Sequence, residues 1–205
     1  MFLYIRPAGA VSTLAHTRVF QPRTIRYSHG MENLQYPVGR FHFDKDVTPE
    51  KRSACIREIA ELPQKLRRAV GGLSPAQLDT PYRDGGWSVR QVVHHLADSH
   101  MNSLTRFKLA LTEDNPQIKP YDQDAWAATA DAAAADIALS LALLEGLHGR
   151  WVALLSSLAP ADFARTFQHP ESGMQTLDRT LQTYAWHCRH HVAHITGLRE
   201  RSGWR

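Results

Sequence analysis

The stretch TLDRTLQTYAWHCRHHVAHITGL, residues 176–198, decides the fold. Thr176 is placed to cap a helix, and Leu177, Leu181, Tyr184, Cys188, Val192, Ile195 and Leu198 follow at the three- and four-residue spacing of one helical face. Gly203 stands just past the last turn, where a helix-terminating residue belongs. The same stretch holds His187, His190, His191 and His194. Imidazoles four positions apart lie one above the other on a helix and can converge on one ion, so His187 with His191 and His190 with His194 are both candidate pairs. Period separates them. At about 100° per residue, a stripe centred on Leu177, Tyr184 and Ile195 leaves His191 about 40° and His187 about 80° from its middle. His194 falls near 100° and His190 near 140°, so the inward pair is His187 and His191.

Three more helices are marked upstream. Thr48-Pro49-Glu50 is an N-cap, a first-turn proline and a first-turn acid, ahead of Ile56, Ile59, Leu62, Leu66 and Val70 at helical spacing. Pro63 falls inside this helix and should kink it, since it has no N–H to donate and crowds the preceding turn, and Gly71-Gly72 ends it. Ser74-Pro75 predicts one short helical turn before the tight loop Asp79-Thr80-Pro81 and Asp84-Gly85-Gly86. Ser88 and Gln91 form a capping box, and Val89, Val92, Val93, Leu96, Phe107 and Leu111 line one face of a second helix running to about Leu111. Thr112 to Ala130, with Pro116 and Pro120, reads as a long loop anchored by Trp126. A third helix uses Ile137, Leu141, Leu144, Leu147, Trp151, Leu154, Leu155 and Leu158. Between it and Thr176, the turn Glu171-Ser172-Gly173 allows a small hairpin. Four long amphipathic segments without a comparable set of strands predict an all-α protein, an antiparallel four-helix bundle with a long connection between helices two and three.

The 205 residues, 43% hydrophobic and 21% charged, suffice for one globular domain with a core. No run approaches about 20 apolar residues, because Ile137 to Leu147 is broken by Ser140 and Glu145, so a soluble, cytoplasmic protein is expected. The net charge of +4 comes from Arg6, Arg18, Arg23 and Arg26, while residues 31–205 carry as many acidic as basic side chains. A folded part without a basic surplus argues against nucleic acid and membrane as partners. Residues 1–30 have no hydrophobic period and read as a disordered extension, or as an overextended start ahead of Met31; the domain spans residues 31–205. Cys55 and Cys188 form no C-x-x-C and fit a reducing compartment.

Two histidines seldom hold a catalytic ion alone, and the other cluster on a long helix is His94-His95 with His100. His94 and His95 flank the stripe on either side, and periodicity does not choose between them. His42, His100, His148 and His169 read as hydrogen-bonded boundary residues. The motif lacks the glutamate of H-E-x-x-H, which argues against a metalloprotease of that type. Asp98, three residues after His95, is a candidate to orient a ligand imidazole or act as a base. Arg106, Arg150 and Trp151 either line a pocket for an anion or sit as plain boundary residues.

The chain resembles the DinB-like superfamily and, within it, the YfiT group of metal-dependent hydrolases. The resemblance runs from Tyr36-Pro37-Val38-Gly39 to Gly203-Trp204. Its most specific stretches are Leu78 to Trp87, Val89 to Asn102, Leu147 to Trp151 and Trp186 to Ile195. It implies a four-helix bundle holding one divalent ion per subunit, zinc or nickel, on three histidines that correspond here to His95, His187 and His191. That choice of His95 over His94 rests on the resemblance. It also implies a homodimer, and an activity that is either metal-dependent hydrolysis or, as in bacillithiol-transferase-like relatives, transfer of a low-molecular-weight thiol to a small electrophile. Three neutral ligands leave an ion with open positions, able to lower the pKa of a bound water or thiol. The alternative is a structural or sensory metal protein without turnover. Cys188 could be argued as a fourth ligand for such a closed site, but adjacent helical side chains diverge by about 100° and turn it away.

Overall fold

Local signals place the helix boundaries. In the computed structural model, which describes residues 34–204, four long helices enclose one core. The readings made for residues 1–30 and for the start at Met31 lie outside the described residues. The first long helix, α1, spans Pro49–Val70, and the Thr48 hydroxyl accepts from the Lys51 N–H at 3.3 Å. It continues through Pro63 as one helix. A short α2, Pro75–Leu78, starts from a Ser74 capping box, and α3, Val89–Thr112, starts from the Ser88–Gln91 box with both of its hydrogen bonds formed. The last two long helices are α6, Ile137–Ser157, capped by Asp136, and α7, Leu177–Arg201, capped by Thr176.

The connection between α3 and α6 differs from the long loop expected. It contains two short helices, α4 (Gln123–Ala127) and α5 (Ala130–Ala134). Trp126 does not anchor it: the ring is 38% exposed and leans on Tyr121 at 4.5 Å, while Ile118, Ala127 and Ala132 are buried. The expected hairpin is present, β1 (Thr166–His169) pairing antiparallel with β2 (Gly173–Thr176). Gly173 takes φ +72°, a conformation that suits glycine. Backbone bonds from Ile118 N–H to Gln168 O and from Gln168 N–H to Pro116 O, both 2.9 Å, stitch the connection to this hairpin.

Helices α1 and α3 each pack against both α6 and α7, which puts α1 and α3 at opposite corners. Two helices run each way. Arg52 at the start of α1 makes a bidentate pair with Asp178 at the start of α7, and Arg199 near the end of α7 donates to the Ala69 and Gly71 carbonyls at the end of α1, so these two run parallel. His94 meets Ser140 and His100 meets His148, so α3 and α6 are also parallel, as a long crossover between them permits. The pairs α1–α6 and α3–α7 are antiparallel: Ile59 and Arg67 meet His148 and Glu145, and His95 and Ser99 meet His187 and Tyr184.

Leu62, Leu66, Leu96, Phe107, Leu144, Trp151, Leu155, Leu181 and Ile195 are fully buried at the centre. Against the sequence expectation, α6 is long and apolar enough to cross a membrane by length and composition. Here it is a bundle helix, with Leu144, Trp151 and Leu155 turned into the core against α1 and α3.

Candidate metal centre

Helix α3 brings His95, and α7 brings His187 and His191, to the antiparallel α3–α7 seam. His95 Nε2 and His187 Nε2 stand 3.2 Å apart, and one nitrogen from each of the three rings lies within 4.8 Å of the others. Nitrogens bound at about 2.0–2.1 Å around a tetrahedral ion stand roughly 3.3 Å apart, so this donor set is of the right size and kind for zinc or a similar divalent ion. Burial pushes the imidazoles toward the neutral, ligating form: His95 is taken down to about 3, and His187 and His191 lie well below the ordinary histidine range. His190 and His194 add a smaller push on His95 in the same direction. Trp87, in the turn ahead of α3, covers the cluster with its ring centroid 4.5 Å from that of His95 and 6.4 Å from that of His191.

The neighbouring candidates are held elsewhere. His94 bonds to the Ser140 hydroxyl at 2.7 Å and to the Ala135 carbonyl at 3.3 Å, facing α6. Tertiary packing thus separates His94 from His95, a choice that helical period left open. Asp98 makes no hydrogen bond to any of the three rings among the described residues; its carboxyl lies near Asp131 and His94, and burial raises its pKa. Cys188 is buried toward Glu58 and Lys65 of α1, away from the cluster, and burial raises its thiol. Trp151 is a fully buried core ring.

Sequence reasoning passed over three histidines beside the centre. His100 is 0% and His148 is 2% exposed, so neither is a boundary residue. Burial lowers both, His148 to about 4. Their place was readable: His100 continues the Val93, Leu96, Phe107 face of α3, and His148 lies between Leu144 and Trp151 on the face of α6. His194, on the outer pair of α7, is buried against Tyr82, ring centroids 3.9 Å apart, and with His190 and His191 makes a second group of converging histidines.

Fold and cluster together define a class: a four-helix bundle with a trihistidine group on two of its helices, able to hold a divalent ion. The chain belongs to the DinB superfamily, whose family model matches residues 58–195. It is 53% identical over 173 residues to YfiT of Bacillus subtilis, covering 84% of this chain and 97% of that relative. A Bacillus mycoides relative is 55% identical over 174 residues, 85% of this chain and all of that protein. Both are provisionally named metal-dependent hydrolases. The solved structure of Bacillus subtilis YfiT, described as a probable metal-dependent hydrolase with an unusual four-helix bundle topology, superposes with a TM-score of 0.82 at 52% identity. The match covers 84% of this chain and 99% of that one.

Proposed function

We propose that the protein is a divalent-metal-dependent enzyme, a hydrolase or a thiol S-transferase acting on a small molecule, with His95, His187 and His191 as the ligands of one zinc or nickel ion. The carrying observation is the meeting of three imidazoles from α3 and α7, those of His95 and His191 buried and that of His187 half-buried, with ring nitrogens within 4.8 Å of one another. An ion held there supplies Lewis acidity that lowers the pKa of a coordinated water or thiol. The protein's own part is to present three uncharged donors on rigid helices, which leaves the cation's charge unneutralised, and to cover one side with the Trp87 ring.

The donor group has three members among the described residues, with Cys188 facing α1 and Asp98 facing His94 and Asp131. Three donors support an open, reactive position over the closed site of a structural or sensory protein. With no carboxylate bonded to the ligand rings among the described residues, activation of a low-molecular-weight thiol is favoured over hydrolysis, since a thiol on a divalent ion needs little help from a base. Asp98 as a base would require its side chain to turn from its present surroundings. The family resemblance further supports a homodimer, Cys55 and Cys188 without a C-x-x-C fit a reducing, cytoplasmic compartment, and the equal acidic and basic counts of residues 31–205 disfavour nucleic-acid and membrane partners.

Metal analysis of purified full-length protein and of His95→Ala, His187→Ala and His191→Ala should give one divalent ion per wild-type subunit and loss in each variant. Unchanged content in the three variants overturns the site. Turnover of an electrophile panel that depends on added thiol supports transfer, turnover without thiol supports hydrolysis, and none with either overturns the enzymatic reading.

A further inference from the structure

Helix α1 contains Pro63, which has no N–H, so the carbonyl four residues earlier, that of Ile59, loses its helical donor. Ile59 is fully buried, and a buried carbonyl needs a partner. The donor comes from another helix: His148 Nδ1 lies 2.6 Å from Ile59 O. A carbonyl can only accept, so Nδ1 of His148 carries the proton and its Nε2, in a neutral ring, carries a lone pair. That nitrogen lies 2.8 Å from His100 Nδ1, which must therefore donate. His100 Nε2 is then bare and lies 3.1 Å from His187 Nδ1, which donates in turn. The last consequence falls on His187 Nε2, left as a lone pair facing His95 Nε2. His100 and His148 are buried and, among the described residues, no carboxylate is bonded to either, so one proton per ring is the state this interior allows.

A second chain has the same logic. His194 Nε2 lies 3.2 Å from the Gln35 carbonyl and must donate to it, which leaves His194 Nδ1 as an acceptor 3.3 Å from His191 Nδ1. His191 therefore carries its proton on Nδ1 and its lone pair on Nε2. This accounts for the second converging group: His194 serves His191 as a hydrogen-bond acceptor, and a second ion is not needed to explain the approach.

We propose that two backbone carbonyls, Ile59 O, freed by Pro63, and Gln35 O, set the tautomers of His187 and His191 through buried histidine relays, with His148, His100 and His194 as positioning residues that keep both Nε2 lone pairs aimed at the centre. The consequence for metal binding rests on the function proposed above, whereas the proton arrangement does not. Each imidazole that already bears its proton on the outer nitrogen binds without first exchanging tautomers, and outer-shell partners of this kind commonly change metal affinity by about 10–100-fold when removed.

The test has two parts. Long-range ¹⁵N–¹H spectra of chelator-stripped full-length protein, histidines assigned by single substitution, should show protonated Nδ1 in His100, His148, His187 and His191 and protonated Nε2 in His194. An Nε2–H tautomer at His187 or His191 overturns the proposal even if the protein binds metal well. The predicted pattern in a protein that binds no metal would uphold the relay while refuting the metal centre. In the second part, nickel affinity is measured by chelator competition for His148→Phe and for Pro63→Ala, which gives Ile59 O an alternative donor. His148→Phe should weaken nickel binding by about 10–100-fold. Pro63→Ala should also weaken it while raising the melting temperature, because it removes a helix-interior proline. A stabilised Pro63→Ala protein with wild-type nickel affinity overturns the role of the carbonyl, a result that misfolding cannot mimic.

Discussion

Acidification tests directly how the histidines are housed. His95, His100, His148, His187 and His191 lie in the interior, and burial pushes all five down, His95 to about 3 and His148 to about 4. In the unfolded chain each takes up a proton as pH falls through about 6.5, while in the metal-free native protein each stays neutral until far lower. The unfolded state therefore binds more protons across this window, and stability is lost as pH falls. The loss begins near 6.5 and continues until the native rings themselves protonate, near 4 for His148 and near 3 for His95. One such group costs about 1.4 kcal/mol per pH unit, so the drop from 6.5 to about 4 at His148 amounts to about 3 kcal/mol. His190 and His194 are lowered as well, to about 3 and about 4, so seven groups together give a slope of about 10 kcal/mol per unit, against a total stability of about 5–15 kcal/mol for a domain. Metal-free protein should thus lose its fold within about two units below neutrality. Urea unfolding in the presence of a chelator, repeated between about pH 7 and 5, measures the slope, and proton uptake on unfolding at about pH 5.5 counts the groups. An unfolding free energy that is flat over this range would refute the reasoning, because it would mean that the rings are solvated or already charged in the native state.

Other expectations are simpler. Asp178→Asn removes the charge from a bidentate pair whose side chains are only 17% and 14% exposed, and it should cost about 2–3 kcal/mol, read as a fall of several degrees in melting temperature. Trp151→Ala empties the middle of the core and takes away the ring edge-on to both His100 and His148; a loss of about 3–5 kcal/mol by denaturant titration is expected. Cys188 and Cys55 both have thiols raised by burial, so a disulfide reagent should label the native protein far more slowly than the urea-unfolded chain, and equal rates would contradict the packing.

The parts of the fold that were legible early are those written in neighbouring residues. Thr48, Ser88 and Thr176 each cap the helix expected of them, while the Asp136 cap of the remaining long helix was not anticipated. The connection between α3 and α6 reads as loop in sequence because it carries Pro116 and Pro120 and because α4, capped by Asp122, and α5, which has no side-chain cap bond, are too short for any apolar period to show. Trp126 was expected to anchor that segment by its size alone, while burial went to the smaller Ile118, Ala127 and Ala132. His100 and His148 were passed over for a related reason. A histidine on a core-facing stripe is ambiguous until its partner is known, and the partners lie 48 and 89 residues away.

Helical period alone singled out His187 and His191 as the inward pair, since their spacing and their angle to the apolar stripe are properties of a single element, yet His190 and His194 are buried too, because the chain around Tyr36 and Tyr82 covers that side of the helix. Which of His94 and His95 would face them, and which way the helices would run, could not be read that way, because every helix can be turned about its axis until its neighbours are specified. The packed bundle removes that freedom: it sends His94 to Ser140 on α6, His95 to His187 on α7, and the carbonyl that Pro63 leaves open to His148. Short-range geometry was enough to make candidate ligands, and only long-range packing, where each buried nitrogen must find a complementary partner, could assign each ring its place.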